Sequence, residues 1–106
     1  MLDATAIAAL TSEPFGPTPG AATNTVLWRS DTSMAGLLTV TAGHHLGRHS
    51  HHRNAHHIWV VGGEARIADE ILGAGGYAHI PAGVEHDIDA TESSGCTVFY
   101  LYIRPS

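Results

Sequence analysis

Histidine is the residue type whose number and spacing in this chain could do chemistry. Seven of the nine histidines lie within positions 44 to 57. A neutral imidazole nitrogen is a good ligand for zinc, nickel, copper and iron. Three interpretations are open from the cluster alone. It could be a built metal site, a solvated histidine-rich tract that binds metal loosely, or a mixture of the two.

His49 and His51 are the first pair in this cluster whose spacing suits chelation. They lie two positions apart, so on an extended segment both side chains project to one face and His52 to the other. Two imidazoles side by side on a strand can share one metal ion. A further ligand must then come from the next strand.

His56 and His57 are the candidates for that ligand, and because they are adjacent only one of them can join the pair. The residues that alternate with each of them are apolar. Periodicity therefore leaves the choice between the two open.

His86 lies outside the cluster, in "EHDIDA". Period two places Asp87 and Asp89 on one face and His86 with Ile88 on the other. Because aspartates favour water, we expect His86 to point inward, where it needs a polar partner or a metal. A core histidine satisfied by hydrogen bonds is the alternative, but a surface tract alone does not predict a buried histidine thirty residues later.

The elements that must position these histidines are short strands. From position 23 onward, β-rich segments recur at spacings near 8–12 residues, with glycine-rich turns such as Gly62–Gly63 and Gly75–Gly76 between them. The pattern predicts about eight strands in one antiparallel sandwich or small barrel, wide enough inside for side chains or one small ligand. The aromatic residues on these strands are expected to be mostly core. The predicted barrel domain spans 23–106.

Residues 1–22 are predicted to be an arm. "DATAIAAL" can form a short helix with Asp3 or Thr5 as its cap. The prolines and glycines of "SEPFGPTPG" argue against regular structure after it.

Composition excludes several classes of partner. The chain has 106 residues, a net charge of −5 and no lysine, and its five arginines are scattered, so a nucleic-acid partner is not expected. No apolar run approaches the ~20 residues that span a bilayer. The N-terminus lacks the features of a signal peptide, so we expect a cytoplasmic protein with no membrane partner. The single cysteine, Cys96, is expected in the core.

The chain resembles the cupins, which are small double-stranded β-helix, jelly-roll-like barrels with two metal-binding motifs. The first motif is G-x5-H-x-H-x(3,4)-E-x6-G. Gly43, His49, His51 and Gly63 stand at its spacings, and His56 takes the place of the glutamate. The second is G-x5-P-x-G-x2-H-x3-N, and Gly75, Pro81, Gly83 and His86 match it, with Ala90 in place of the asparagine.

The resemblance implies that His49, His51, His56 and His86 bind one divalent transition metal: iron, manganese, nickel, zinc or copper. His57 is the fallback for His56. Four neutral imidazoles would leave the full charge on the metal, which favours anionic or enolisable substrates. Octahedral coordination would leave two positions for them, whereas tetrahedral zinc would be closed and structural.

The resemblance further implies oxygenase chemistry on a small chelating substrate. A lyase, isomerase or cyclase using the metal as a Lewis acid, or a non-catalytic sensor or small-ligand module, is the alternative. His79, Tyr100 and Tyr102 are candidate catalytic residues. His44, His45 and His52 are expected in solvent. Cupins are commonly dimeric, so by analogy we expect a homodimer.

Overall fold

The protein is almost entirely antiparallel β structure, as the strand pattern predicts. The computed structural model describes residues 1–16, 18–44, 54–84 and 87–103. Within them lie one short helix and eight strands: α1 Ala4–Ala8, β1 Glu13–Pro14, β2 Ala22–Arg29, β3 Ser33–Val40, β4 Ala55–Ile67, β5 Glu70–Gly73, β6 Tyr77–Ile80, β7 Ile88–Ala90 and β8 Cys96–Ile103. No helix in this part of the chain is both long and apolar enough to cross a lipid bilayer.

The strands form two layers that share β4. The first half of β4 pairs with β8 on one side and β6 on the other, and β8 continues through β3 and β2 to β1. The second half of β4 pairs with β5 and β7. A long strand that passes from one layer to the other closes the fold around a common interior.

Apolar side chains at every second position of β3, β4 and β8 build the core. Leu38 and Val40 are buried while Thr39 between them is exposed, as their alternation predicts. Ala65 and Ile67 are likewise buried and Arg66 is exposed. The core comprises Ala22, Leu38, Val40, Ile58, Val60, Ala65, Ile67, Ile80, Ile88, Ala90, Cys96, Val98 and Tyr100, so the predicted burial of Cys96 is confirmed.

The prediction of a tight turn at Gly62–Gly63 is wrong, because β4 runs through both glycines. Its register against β8 shifts between Val60 and Gly62, which marks a β-bulge. Gly63 has φ of 69°, and a Cβ there would collide with the backbone of Gly95. The glycines therefore bend a continuous strand between the two layers. The other predicted turn, at Gly75–Gly76, is present between β5 and β6.

The N-terminal arm contains the predicted helix and one strand that the sequence argued against. The Asp3 side chain accepts a hydrogen bond from the Ala6 backbone nitrogen at 2.8 Å, so Asp3 caps α1. Glu13 and Pro14 pair with β2 despite the surrounding prolines. Proline is tolerated there because β1 is an edge strand and its missing N–H faces away from the ladder.

Strand β7 shows where the period-two argument fails. Ile88 is buried as predicted, but Asp89, which was expected in water, is only 6% exposed. All three residues of β7 are buried, so this strand does not present one face to solvent. His86 lies outside the described residues, and its inward orientation stays a prediction.

Candidate functional site

Of the four predicted metal ligands, the structure describes only His56, and this side chain faces the interior. Its side chain is 1% exposed, and Ile58 and Val60, two and four positions along β4, are 0% and 1% exposed. Trp59 and Val61, which alternate with His57, are 36% and 54% exposed. Burial thus decides the choice that periodicity left open: His56 lies on the inner face of β4 and His57 on the outer face.

The other three predicted ligands, His49, His51 and His86, lie outside the described residues, as do His45 and His52. Within residues 1–16, 18–44, 54–84 and 87–103, no group of three or more His, Cys, Asp or Glu side chains could hold a metal ion. His44, expected in solvent, is half-buried, and its carbonyl accepts a hydrogen bond from the Ala90 nitrogen at 3.1 Å.

Tyr102 holds the plane of the His56 ring. The two residues are cross-strand partners on β4 and β8. Their ring centroids are 3.9 Å apart and their planes differ by 14°, which is a close parallel stack. Burial, followed by the neighbouring Tyr100, raises the pKa of Tyr102 to about 12. The phenol is therefore neutral near physiological pH, and its ring forms one wall of the His56 position.

Tyr100 continues this aromatic wall towards β2. Its ring centroid is 4.8 Å from that of Tyr102, and its hydroxyl donates a hydrogen bond of 2.6 Å to Asn24 Oδ1. Burial raises the pKa of Tyr100, while the hydrogen bond to Asn24 and the charge of Arg29 act in the opposite direction. His56, Tyr102, Tyr100 and Asn24 thus form one connected series across the inner face.

Gly36 makes room for that series. It is the cross-strand partner of Tyr100 on β3. A Cβ at Gly36 would lie 2.6 Å from Tyr100 Cζ and 2.7 Å from the Thr25 carbonyl oxygen, closer than atoms can pack. The absence of a side chain at Gly36 therefore lets the phenol lie flat against the β3 backbone.

Two small cavities open beside this wall, and both involve Arg29 at the end of β2. One of about 200 Å³ is lined by Arg29, Ser30, Asp31, Thr32, Ser33, Met34, Asn54 and Tyr102. The other, of about 370 Å³, is lined by Leu10, Thr11, Glu13, Asn24, Val26 and Arg29. The smaller cavity, beside Tyr102, is thus polar, and the positive charge of Arg29 borders both cavities.

His79, a predicted catalytic candidate, lies on the outer face, away from His56. It is the cross-strand partner of His57, and the two imidazoles stack with centroids 4.8 Å apart. His57 Nδ1 is 2.7 Å from the Tyr77 hydroxyl. The placement of His79 gives it no contact with the barrel interior, and His57 is engaged in the same outer cluster. Of the three catalytic candidates, the structure brings Tyr100 and Tyr102, but not His79, to the inner face beside His56.

The sequence reasoning missed Asn24, Arg29 and Met34. Simple alternation along β2 would place Asn24 and Arg29 on opposite faces. The register shifts between Val26 and Trp28, however, and this brings Arg29, whose side chain is exposed, opposite Met34. Trp28, one of the strand aromatics that were expected to be mostly core, is 53% exposed. No residue type in β2 indicates this bulge, so the sequence alone gave no reason to include Arg29 among the candidate site residues.

Solved structures show where this architecture recurs. The polyketide cyclase RemF from Streptomyces resistomycificus is 20% identical, with a TM-score of 0.81 over 100% of this chain and 83% of that chain. A predicted oxalate decarboxylase from Thermotoga maritima is 15% identical, with a TM-score of 0.81 over 93% and 96% of the two chains. The complex of Rhodobacter sphaeroides SigE with the anti-sigma ChrR contains a chain that is 20% identical, with a TM-score of 0.75; the match covers 90% of this chain and 49% of that one. These likenesses show a shared fold.

The family assignment comes from the sequence itself. The comparison with curated proteins gives no match. The model of the ChrR cupin-like domain matches residues 3–103, which include the arm as well as the strands. The match covers almost the whole chain, and the chain therefore belongs to the ChrR cupin-like domain family of the cupins.

Proposed function

We propose that this cupin holds one divalent transition metal through His49, His51, His56 and His86, and that a small chelating compound, enolisable or anionic, binds at that metal. The observation that carries the proposal is the burial of His56 on the inner face at the position where the cupin motif has a ligand. The motif spacings supply the other three histidines.

The donor set suits a transition metal. Imidazole nitrogen prefers iron, nickel, copper and zinc to the hard cations calcium and magnesium. A metal bound there would act as a Lewis acid towards an oxygen of the ligand. Because neutral imidazoles bring no negative charge, the site would attract an anion more strongly than a cupin site that contains a carboxylate.

Tyr102 supports the proposal by fixing the orientation of His56. The lone pair of an imidazole nitrogen lies in the plane of its ring, so the plane determines where a metal can bind. A close aromatic pair contributes about 0.5–1.5 kcal/mol, which favours one orientation of the His56 ring. Since its phenol stays neutral, Tyr102 can do this without adding charge to the site.

The proposed activity is metal-dependent oxygenase or Lewis-acid chemistry on that small compound. The close likeness of fold to the polyketide cyclase RemF over the full length of this chain supports an enzyme that acts on an enolisable substrate. In such a site, Tyr100 and Tyr102 line the inner wall as neutral hydrogen-bonding groups, and Asn24 fixes the direction of the Tyr100 hydroxyl.

A sensor module is the second candidate, and the family match supports it. The ChrR for which the family is named is described as an anti-sigma in complex with SigE. In that role the same metal site would bind a ligand without converting it. Turnover of a chelating compound by the metal-loaded protein favours the enzyme, whereas binding without turnover favours the sensor.

Metal content tests the proposal. We expect the anaerobically purified protein to carry about one metal per chain, and His51→Ala to lose it while His45→Ala keeps it. Removing the metal with a chelator should leave the β fold intact, as judged by circular dichroism, because the core does not depend on the site. Equal metal content in the two variants would refute the ligand assignment, and unfolding on chelation would show a structural metal.

A further inference from the structure

Arg29 stands in line with the proposed metal ligand across four neighbouring strands. It is the cross-strand partner of Met34, Met34 is the partner of Tyr102, and Tyr102 is the partner of His56. Partners in an antiparallel pair project to the same face, and adjacent strands are about 4.8 Å apart. Arg29 therefore begins about three strand spacings from His56, and its side chain, which is exposed at the end of β2, is on the same side of the sheet as Tyr102.

The guanidinium of Arg29 lies between the two cavities. Its Nη2 is 3.8 Å from Met34 Sδ in a solvent-exposed contact, so the side chain lies over β3. It lines both the 200 Å³ cavity beside Tyr102 and the 370 Å³ cavity beside Asn24. Among the described residues that line the two cavities, Arg29 is the only cation, and its side chain is exposed to solvent.

Among the residues that the structure describes, few positive charges compete with Arg29. The chain has no lysine and a net charge of −5. The only other arginine in the described part of the chain, Arg66, lies on the exposed face of β4. Asp31 lines the smaller cavity and Glu13 the larger. Neither carboxylate is ion-paired with Arg29 among the described residues, so its N–H groups remain available to an incoming anion.

Hydroxyl groups complete the smaller cavity. Ser30, Thr32 and Ser33 come from the turn between β2 and β3 and line the cavity with Arg29. Ser30 Oγ accepts hydrogen bonds from the backbone nitrogens of Thr32 and Ser33 at 3.3 and 3.1 Å, which holds the turn in place. A guanidinium with fixed hydroxyls around it matches a carboxylate, which accepts several hydrogen bonds in one plane.

We propose that Arg29 and the hydroxyls of the β2–β3 turn form a specificity subsite that binds a carboxylate at the far end of the small compound held by the metal. This inference rests on the proposed function and narrows the ligand class to organic acids with a second anionic group. Glu13 and Asp31 would repel a carboxylate that lies beside them instead of beside Arg29.

Two compounds of equal length test the subsite. Both 2-oxoglutarate and 2-oxopentanoate offer the same 2-oxo acid to a metal, but only the first has a distal carboxylate in place of a methyl group. We expect Co²⁺-loaded protein, followed by its visible absorption, to bind 2-oxoglutarate at least about tenfold more tightly. Arg29→Gln should remove this preference and leave 2-oxopentanoate binding unchanged. Arg29→Lys keeps the positive charge but loses the paired N–H donors of the guanidinium, so it should retain part of the preference for 2-oxoglutarate.

Arg66→Gln is the matched control, because Arg66 is exposed, as Arg29 is, but lines neither cavity. The subsite is refuted if the wild type binds both compounds equally, if Arg29→Gln weakens both to the same extent, or if Arg66→Gln has the same effect as Arg29→Gln. Failure of the wild type to take up Co²⁺ would instead refute the proposed metal function, on which the subsite depends. Circular dichroism of Arg29→Gln checks that its fold is retained.

Discussion

At the scale of single residues, His56 shows what spacing can and cannot predict. The motif spacing selected His56 over His57, whereas alternation on the strand left both open because each has apolar neighbours. The structure separates them: one set of neighbours is buried and the other is exposed. Both faces of β4 carry apolar residues, so the sequence shows no alternation of apolar and polar positions there. Trp59 and Val61 on the outer face are apolar although they are exposed.

Tyr102 leads to a prediction about stability in alkali. Its folded pKa of about 12 lies above the ordinary tyrosine value of 10.0, so the fold favours the neutral phenol. The corresponding stabilisation is complete below about pH 10 and is lost as the pH rises from about 10 to about 12, because the unfolded chain ionises first. A rise in the pKa from 10.0 to about 12 corresponds to about 2–3 kcal/mol of unfolding free energy.

Urea unfolding at about pH 9 and about pH 11.5 measures this loss. We expect Tyr102→Phe, which keeps the ring stacked on His56 but has no ionisable hydroxyl, to lose less stability between the two conditions than the wild type. The same loss in both proteins would contradict the account of Tyr102 as a buried neutral phenol.

At the scale of elements, the strands with one solvated face were predictable and the irregular ones were not. The alternation of Leu38 and Val40 with threonines predicted β3, and the apolar run after Cys96 predicted β8. The bulge in β2 shifts the register at a point where the sequence shows no break. The bulge in β4 shifts the register at a point where the sequence suggested a turn. In β4 a pair of glycines bends the strand instead of ending it, and a local pattern cannot distinguish these two outcomes.

The contact between β3 and β8 gives a test at this scale. Gly36→Ala should destabilise the protein by about 1–3 kcal/mol, because the added Cβ meets the Tyr100 ring and a backbone oxygen at the same time. Gly73→Ala is the control, since a Cβ at Gly73 meets nothing within 4 Å. The denaturant midpoints of the two variants measure this difference in stability. Equal midpoints would show that Tyr100 can move and that the aromatic wall is not held against β3.

At the scale of the whole molecule, the two halves of the candidate site differ in what a prediction of them requires. The four-histidine ligand set is a prediction from motif spacing, because a metal requires its ligands at fixed positions, and the structure describes only His56 of the four. The wall of Tyr100, Tyr102 and Asn24, and the cation Arg29, depend on which strands are neighbours, and that follows only from the complete topology. The expected homodimer stays a prediction, which light scattering of the purified protein can test.

The most direct test of the central claim compares two adjacent histidines. His56 and His57 share one strand, but the first is buried against Tyr102 and the second stacks on His79 at the surface. We predict that His56→Ala loses the bound metal and that His57→Ala retains about one metal per chain, as measured by elemental analysis of the anaerobically purified proteins. Loss of metal in His57→Ala with retention in His56→Ala, or the same metal content in both, would contradict the proposed site.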